Sequence, residues 1–146
     1  MSATRQQIVT YARSLRGIPW RHQGRSVQHG LDCGGPVALI AHEFALSDFD
    51  LIDYGRYPDG QSLLALLDQH LIRIPYSRAQ VGDVVALADN HYPCHLGILA
   101  DAAEPFSLIH CTAEWPRCVV EHRLSDDWKR KMKAVYQFPG LIQEAA

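Results

Sequence analysis

No stretch of this chain is long and apolar enough to cross a membrane, and Met1-Ser2-Ala3-Thr4-Arg5-Gln6-Gln7 lacks the charged-then-apolar pattern of a secretory signal. Net charge is also small: 14 basic against 16 acidic side chains give −2, so nucleic acid and anionic membrane are not expected partners. The one local basic run, Lys129-Arg130-Lys131 with Lys133, reads as the solvated end of a helix. There is no internal repeat, low-complexity tract or long Gly/Ser linker, and the cysteines form no Cys-x2-Cys metal knuckle. What remains is 146 residues of 47% hydrophobic content, the size of one domain spanning 1–146. At that length folding buries roughly 68–70% of the unfolded surface.

The most informative segment is Gly30-Leu31-Asp32-Cys33-Gly34-Gly35-Pro36, which runs into the apolar series Val37-Ala38-Leu39-Ile40-Ala41. It predicts a cysteine at the start of a buried helix reaching about Leu46. First-turn amides and the positive end of the helix dipole favour thiolate, the species that attacks carbonyl carbon. The glycines allow close approach of a substrate backbone, and Pro36 needs no amide partner in a first helical turn. The alternative is an inert cysteine packed as a small hydrophobe.

Three strand-like runs follow downstream: Val84–Leu87 after Val81-Gly82-Asp83, then Cys94–Ala100, then Phe106–Cys111. If the last two form an antiparallel hairpin closing on Ala100 opposite Pro105, His95 stands opposite His110 on one face. A cysteine at a helix end, a histidine base and a second polar group to orient that base are the parts of thiol catalysis. Elsewhere, Thr4 with Gln7 reads as a capping box opening a first helix, with Ile8, Tyr11, Ala12 and Leu15 inward and Gly17 and Pro19 ending it. A loop is expected over 48–60, a third helix over 61–71, and strands over 118–123 and 134–138 with a short helix over 126–132 between them. Gly140 onward reads as a loose tail.

These segments resemble the NlpC family of cysteine peptidases, and most closely its phage-associated cell-wall branch. Gly17-Ile18-Pro19-Trp20-Arg21-His22-Gln23-Gly24-Arg25 is similar to the block before the family's nucleophile. Leu31-Asp32-Cys33-Gly34-Gly35 resembles its Asp-Cys-x-Gly motif, Val81-Gly82-Asp83-Val84-Val85 its Gly-Asp strand entry, and His95-Leu96-Gly97-Ile98 its His-x-Gly-aliphatic strand. The resemblance implies a papain-like α+β domain in which an antiparallel sheet packs against helices. It implies Cys33 as nucleophile, His95 as base and then acid, and His110 as the residue holding the His95 ring. The implied substrate is the stem peptide of bacterial peptidoglycan, commonly its D-γ-glutamyl-diamino acid bond, cleaved with no cofactor. With no secretory signal read in the sequence, delivery to the wall is expected to follow cytoplasmic synthesis, as part of a phage tail or tail-like particle in contact with tail proteins. A secretion-system effector is the competing route.

Trp20 stands where many members carry tyrosine, so the oxyanion candidates are its indole N–H and Gln23, beside the Cys33 amide. Gly34 and Pro36 also depart from the usual residues. Substrate-binding candidates are Asp32, which is also a candidate cap of the Cys33 helix, His22, Arg21 and Arg25; His22 is in addition a reserve base. His122 reads as a strand surface residue. Cys94 and Cys111 flank the two histidines and in the same register oppose each other on the far face; they are expected to be reduced, and Cys118 to be structural. A zinc site built from Cys94, His95, His110, Cys111 and His91 is disfavoured because adjacent strand residues point to opposite faces. The other readings are a tail-tip module of the same fold without turnover, and an acyltransferase or different amidase on that scaffold.

Overall fold

The computed structural model describes residues 2–50, 61–89 and 92–142, with side chains over 2–50, 63–88 and 95–142. Helix α1, Arg5–Ser14, opens with the expected capping box: Gln7 N–H donates to Thr4 Oγ1 at 3.0 Å and Thr4 N–H to Gln7 Oε1 at 2.8 Å. Ile8, Val9 and Ala12 form its buried stripe, while Tyr11 is half-buried at the margin. The two-residue strands β1, Arg25–Ser26, and β2, Gly30–Leu31, pair antiparallel and lead into helix α2, Gly35–Glu43. α2 begins two residues after the expected start, so Cys33 lies in the turn before the helix and Gly34 is its N-cap. Pro36 occupies the first turn, where its missing N–H costs nothing.

Helix α3, Gln61–His70, buries Leu63 and Leu67. The main sheet is antiparallel with strand order β3-β8-β4-β5-β6-β7. Its members are β3, Ile72–Ile74; β4, Val84–Asp89; β5, Tyr92–Ala100; β6, Ser107–Cys111; β7, Val119–Arg123; and β8, Met132–Gln137. The last helix, α4, Asp126–Lys131, is capped by Ser125 and crosses between β7 and β8. The sequence reading missed β3, a three-residue edge strand too short and too charged at Arg73 to show alternation.

Alternation along the central strands divides the apolar residues between two cores. Leu96, Ile98, Ile109 and Cys111 join α1, α2 and α3 in the larger core. Val85, Leu87, Leu99 and Leu108 face the other way, with Leu124 and Trp128 of α4 over them. The β5–β6 register pairs Ala100 with Ser107, not Pro105. The two-residue difference keeps every side chain on its expected face, because the strand period is two. It makes His95 and His110 diagonal neighbours rather than directly opposed residues. In the same register Cys111 is displaced from Cys94, whose side chain, like His91, lies outside the described residues.

Two further expectations change. From Gly140 the chain is not loose at once: Leu141 bridges Ala3 in parallel and Ile142 N–H donates to Ala3 O at 2.9 Å. The loop expected over 48–60 falls from residue 51 on outside the described residues.

Candidate active site

The turn between β2 and α2 is held by its own carboxylate. Asp32, 1% exposed, accepts the Gly34 N–H at 3.0 Å and pairs with Arg25 Nη1 through the same oxygen. Arg25 Nε reaches Asp50 Oδ1 at 2.6 Å. Asp32 and Arg25 are therefore struts of the turn: the carboxylate is buried and the guanidinium is shared between two acids. Gly35 is required by close approach, since a Cβ there would stand 2.9 Å from the Leu31 side chain. Cys33 is half-buried in this turn. The turn is tied to the end of β6, where the Cys111 thiol donates to Leu31 O at 3.1 Å. Burial, with the Asp32 carboxylate nearby, pushes the Cys111 thiol up to about 12, so it serves as an inert strut.

His95 and His110 meet directly. His95 Nε2 lies 2.7 Å from His110 Nδ1, with the rings nearly perpendicular at 87°. His110 is 2% exposed and packs edge-on to Trp128, their ring centres 4.9 Å apart. Burial first, then His95, His122 and Lys131 around it, pushes His110 down to about 3, so its ring stays neutral at working pH. Gly97, on the same sheet face, makes room for Leu108: a Cβ there would stand 2.5 Å from Leu108 Cδ1. His95, His110 and His122 line a cleft of about 490 Å³ with Trp115, Trp128 and Lys131. Trp115 is 90% exposed at its rim.

Several solved structures share this arrangement of elements. The NlpC/p60 domain of the peptidoglycan hydrolase SagA matches 92% of this chain and 99% of its own, at 18% identity and a TM-score of 0.65. The chain has the NlpC/p60 fold. An NlpC/p60 family protein from Bacillus cereus gives a TM-score of 0.68 at 16% identity, over 93% of this chain and 40% of its own. The endolysin LysIME-EF1 gives 0.58 at 16% identity, over 94% and 65%. The chain thus spans the SagA domain fully but less than two thirds of the other two proteins. No protein-family profile matches the sequence, and neither does any curated protein sequence.

Within the NlpC/p60 fold the remaining candidates take definite places. Trp20 is half-buried, bridged to Leu31 in parallel, its ring 5.4 Å from the Arg117 guanidinium carbon. Gln23 is exposed in the left-handed region with φ 55°. Arg21 and His22 are exposed on the same segment, the His22 ring centre 6.4 Å from that of Trp20. These residues border the Cys33 turn through the Trp20–Leu31 bridge. Among the described residues no three His, Cys, Asp or Glu side chains form a metal-binding group.

One residue was misjudged. His122, expected as a surface residue, lies with its Nε2 2.8 Å from His110 Nε2. The signal was present in the strand pattern: a β6–β7 hairpin pairing Cys111 with Val119 puts Leu108 opposite His122, hence His122 on the face of His110.

Proposed function

We propose that this chain is a cell-wall hydrolase of the cysteine peptidase class, cleaving stem-peptide amide bonds of peptidoglycan. The observation that carries the reading is the 2.7 Å His95–His110 bond on an NlpC/p60 fold, with Cys33 in the turn tied to the same strand end. The similar solved structures include an NlpC/p60 domain of a peptidoglycan hydrolase, which supports the substrate class; delivery as part of a phage tail or tail-like particle is part of the proposal.

In this mechanism His95 takes the Cys33 proton and the thiolate attacks the scissile carbonyl carbon, forming the C–S bond. The oxyanion is held by the Cys33 amide with the Trp20 indole N–H or the Gln23 side chain. Collapse breaks the C–N bond as His95 returns its proton to the departing amine. Water then attacks the thioester, His95 accepts its proton, and the C–S bond breaks to regenerate the thiolate. His110 acts only by holding the His95 ring. The proposed bond is D-γ-glutamyl-diamino acid.

The test is digestion of purified diaminopimelate-type peptidoglycan by this protein and by Cys33→Ala, with released fragments identified by mass spectrometry. Stem-peptide fragments that vanish with Cys33→Ala support the reading and name the bond. No release by a folded protein whose Cys33 also resists alkylation at neutral pH overturns it in favour of a non-enzymatic module.

A further inference from the structure

The histidine contact does not stop at the pair. Beyond His110, His122 Nε2 is 2.8 Å from His110 Nε2, and His122 Nδ1 is 2.8 Å from the carbonyl oxygen of Arg123. A carbonyl oxygen only accepts, so His122 carries hydrogen on Nδ1. In a neutral ring the other nitrogen must then accept, and each hydrogen bond along the row fixes the next. His122 Nε2 accepts from His110 Nε2–H; His110 Nδ1 accepts from His95 Nε2–H; His95 is left with its lone pair on Nδ1.

We infer that His122 is a positioning residue, which transmits the polarity of the Arg123 carbonyl through His110 so that Nδ1 is the basic nitrogen of His95. The inference deepens the thiol-peptidase reading, on which its catalytic consequence rests, but the hydrogen-bond polarity follows from the contacts of the row with neutral rings. A tautomer is ordinarily set by the partner of the distal nitrogen. Here that partner is itself a histidine, able to point its hydrogen either way, so His110 alone leaves the direction of the row undetermined. The carbonyl at the far end removes the ambiguity.

Packing holds the row in place. Trp128 of α4 lies against both inner rings, 4.9 Å from His110 and 5.1 Å from His122 between ring centres. The His110–His122 rings cross at 81°, so in-plane nitrogens can meet across a short distance. Among the described residues, the charged and titratable groups lining the cleft around the row include His95 from β5, Lys131 from α4 and Glu114 from the connection between β6 and β7. Burial keeps the middle ring, His110, neutral.

The experiment compares wild type, His122→Phe and His122→Gln. Phe keeps a ring against Trp128 but offers no acceptor; Gln returns an acceptor oxygen to His110 Nε2–H. Ring tautomers are read at pH 7 from long-range ¹H–¹⁵N correlations of ¹⁵N-labelled protein, and kcat/KM from stem-peptide hydrolysis. Wild type is expected to show hydrogen on Nε2 of His95 and His110 and on Nδ1 of His122. His122→Phe is expected to lose that pattern at His110 and His95 and to lower kcat about 10- to 100-fold with KM little changed, and His122→Gln to restore both. Hydrogen on Nδ1 of His95 in the wild type, or an unaltered His95 tautomer in folded His122→Phe, overturns the inference. A wild type with the stated tautomers and no hydrolysis sustains the polarity and overturns the peptidase reading instead, so the two failures are distinguishable. Should His122→Phe not fold, His122→Gln decides: native tautomers and rate support the acceptor role, and their loss in a folded variant refutes it.

Discussion

The burial of His110 gives a stability prediction with a definite sign. Its folded value, about 3, lies below the ordinary 6.5, so the unfolded chain binds the proton more tightly. The stabilisation is complete above pH 6.5 and is lost progressively as pH falls toward 3. Between pH 7 and pH 5 the unfolded ring goes from mostly neutral to almost fully protonated, while the folded ring stays neutral. At about 1.4 kcal/mol per proton per pH unit, the wild type should lose about 2 kcal/mol over that range through His110. In His110→Asn the group no longer titrates, while an amide oxygen remains to accept from His95. Urea unfolding of both proteins at half-unit pH steps isolates the contribution as a difference. For a domain near this size about 2 kcal/mol is also a fall in Tm of roughly 6 °C, readable by calorimetry. Parallel pH dependences in the two proteins would refute the reasoning, because His110 would then take up no extra proton on unfolding.

Gly97→Ala should destabilise by about 1–3 kcal/mol in chemical denaturation, since its Cβ would meet Leu108 Cδ1 at 2.5 Å in a packed core. Asp32→Ala should cost roughly 3 kcal/mol and abolish hydrolysis, by leaving Arg25 without its buried partner and the Gly34 amide without its acceptor; unfolding and peptidoglycan digestion measure the two effects. Glu121, held below its ordinary 4.5 chiefly by its bond to Arg13, stabilises above that pH, and the gain fades as pH falls through its folded value. Glu121→Gln should therefore be less stable near neutrality and flatter between pH 5 and 3. On brief iodoacetamide treatment of native protein at pH 7.5, peptide mass spectrometry should find Cys33 alkylated and Cys111 unmodified, because burial holds the Cys111 thiol up to about 12.

The sequence made the elements legible wherever a local rule operates. The Thr4–Gln7 box, the leucine spacing of α3 and the strand runs at Val84, His95 and Ile109 each follow from short-range chemistry. Registers and partners were less accessible, because they depend on turns whose geometry the sequence leaves open. The β5–β6 turn is two residues longer than expected, since Ser107 rather than Pro105 closes on Ala100. A proline carries no N–H to donate, which makes it a poor closing residue for a ladder. His122 was missed for a related reason: its role appears only when three strands are registered together. The strut role of Arg25 and Asp32 is visible only in three dimensions, because the fold sets their ion pair and the burial of Asp32.

The blocks that carry the family resemblance do not all speak to chemistry. Gly35 answers to Leu31, Gly97 to Leu108, and buried Asp83 to Arg5, which reaches it at 2.6 Å from α1. Any chain with this packing needs these residues whether or not it turns over substrate. The histidine row is different. Placing His110 at 2% exposure incurs desolvation that an apolar side chain of similar volume would avoid, and its hydrogen bonds to two more imidazoles do little beyond offsetting that cost. Stability therefore gives no reason for three imidazoles in sequence on one sheet face. A base whose tautomer must be fixed does give one, which is why the case for an enzyme rests on His95, His110, His122 and the Cys33 turn more than on the glycines that make the motif recognisable.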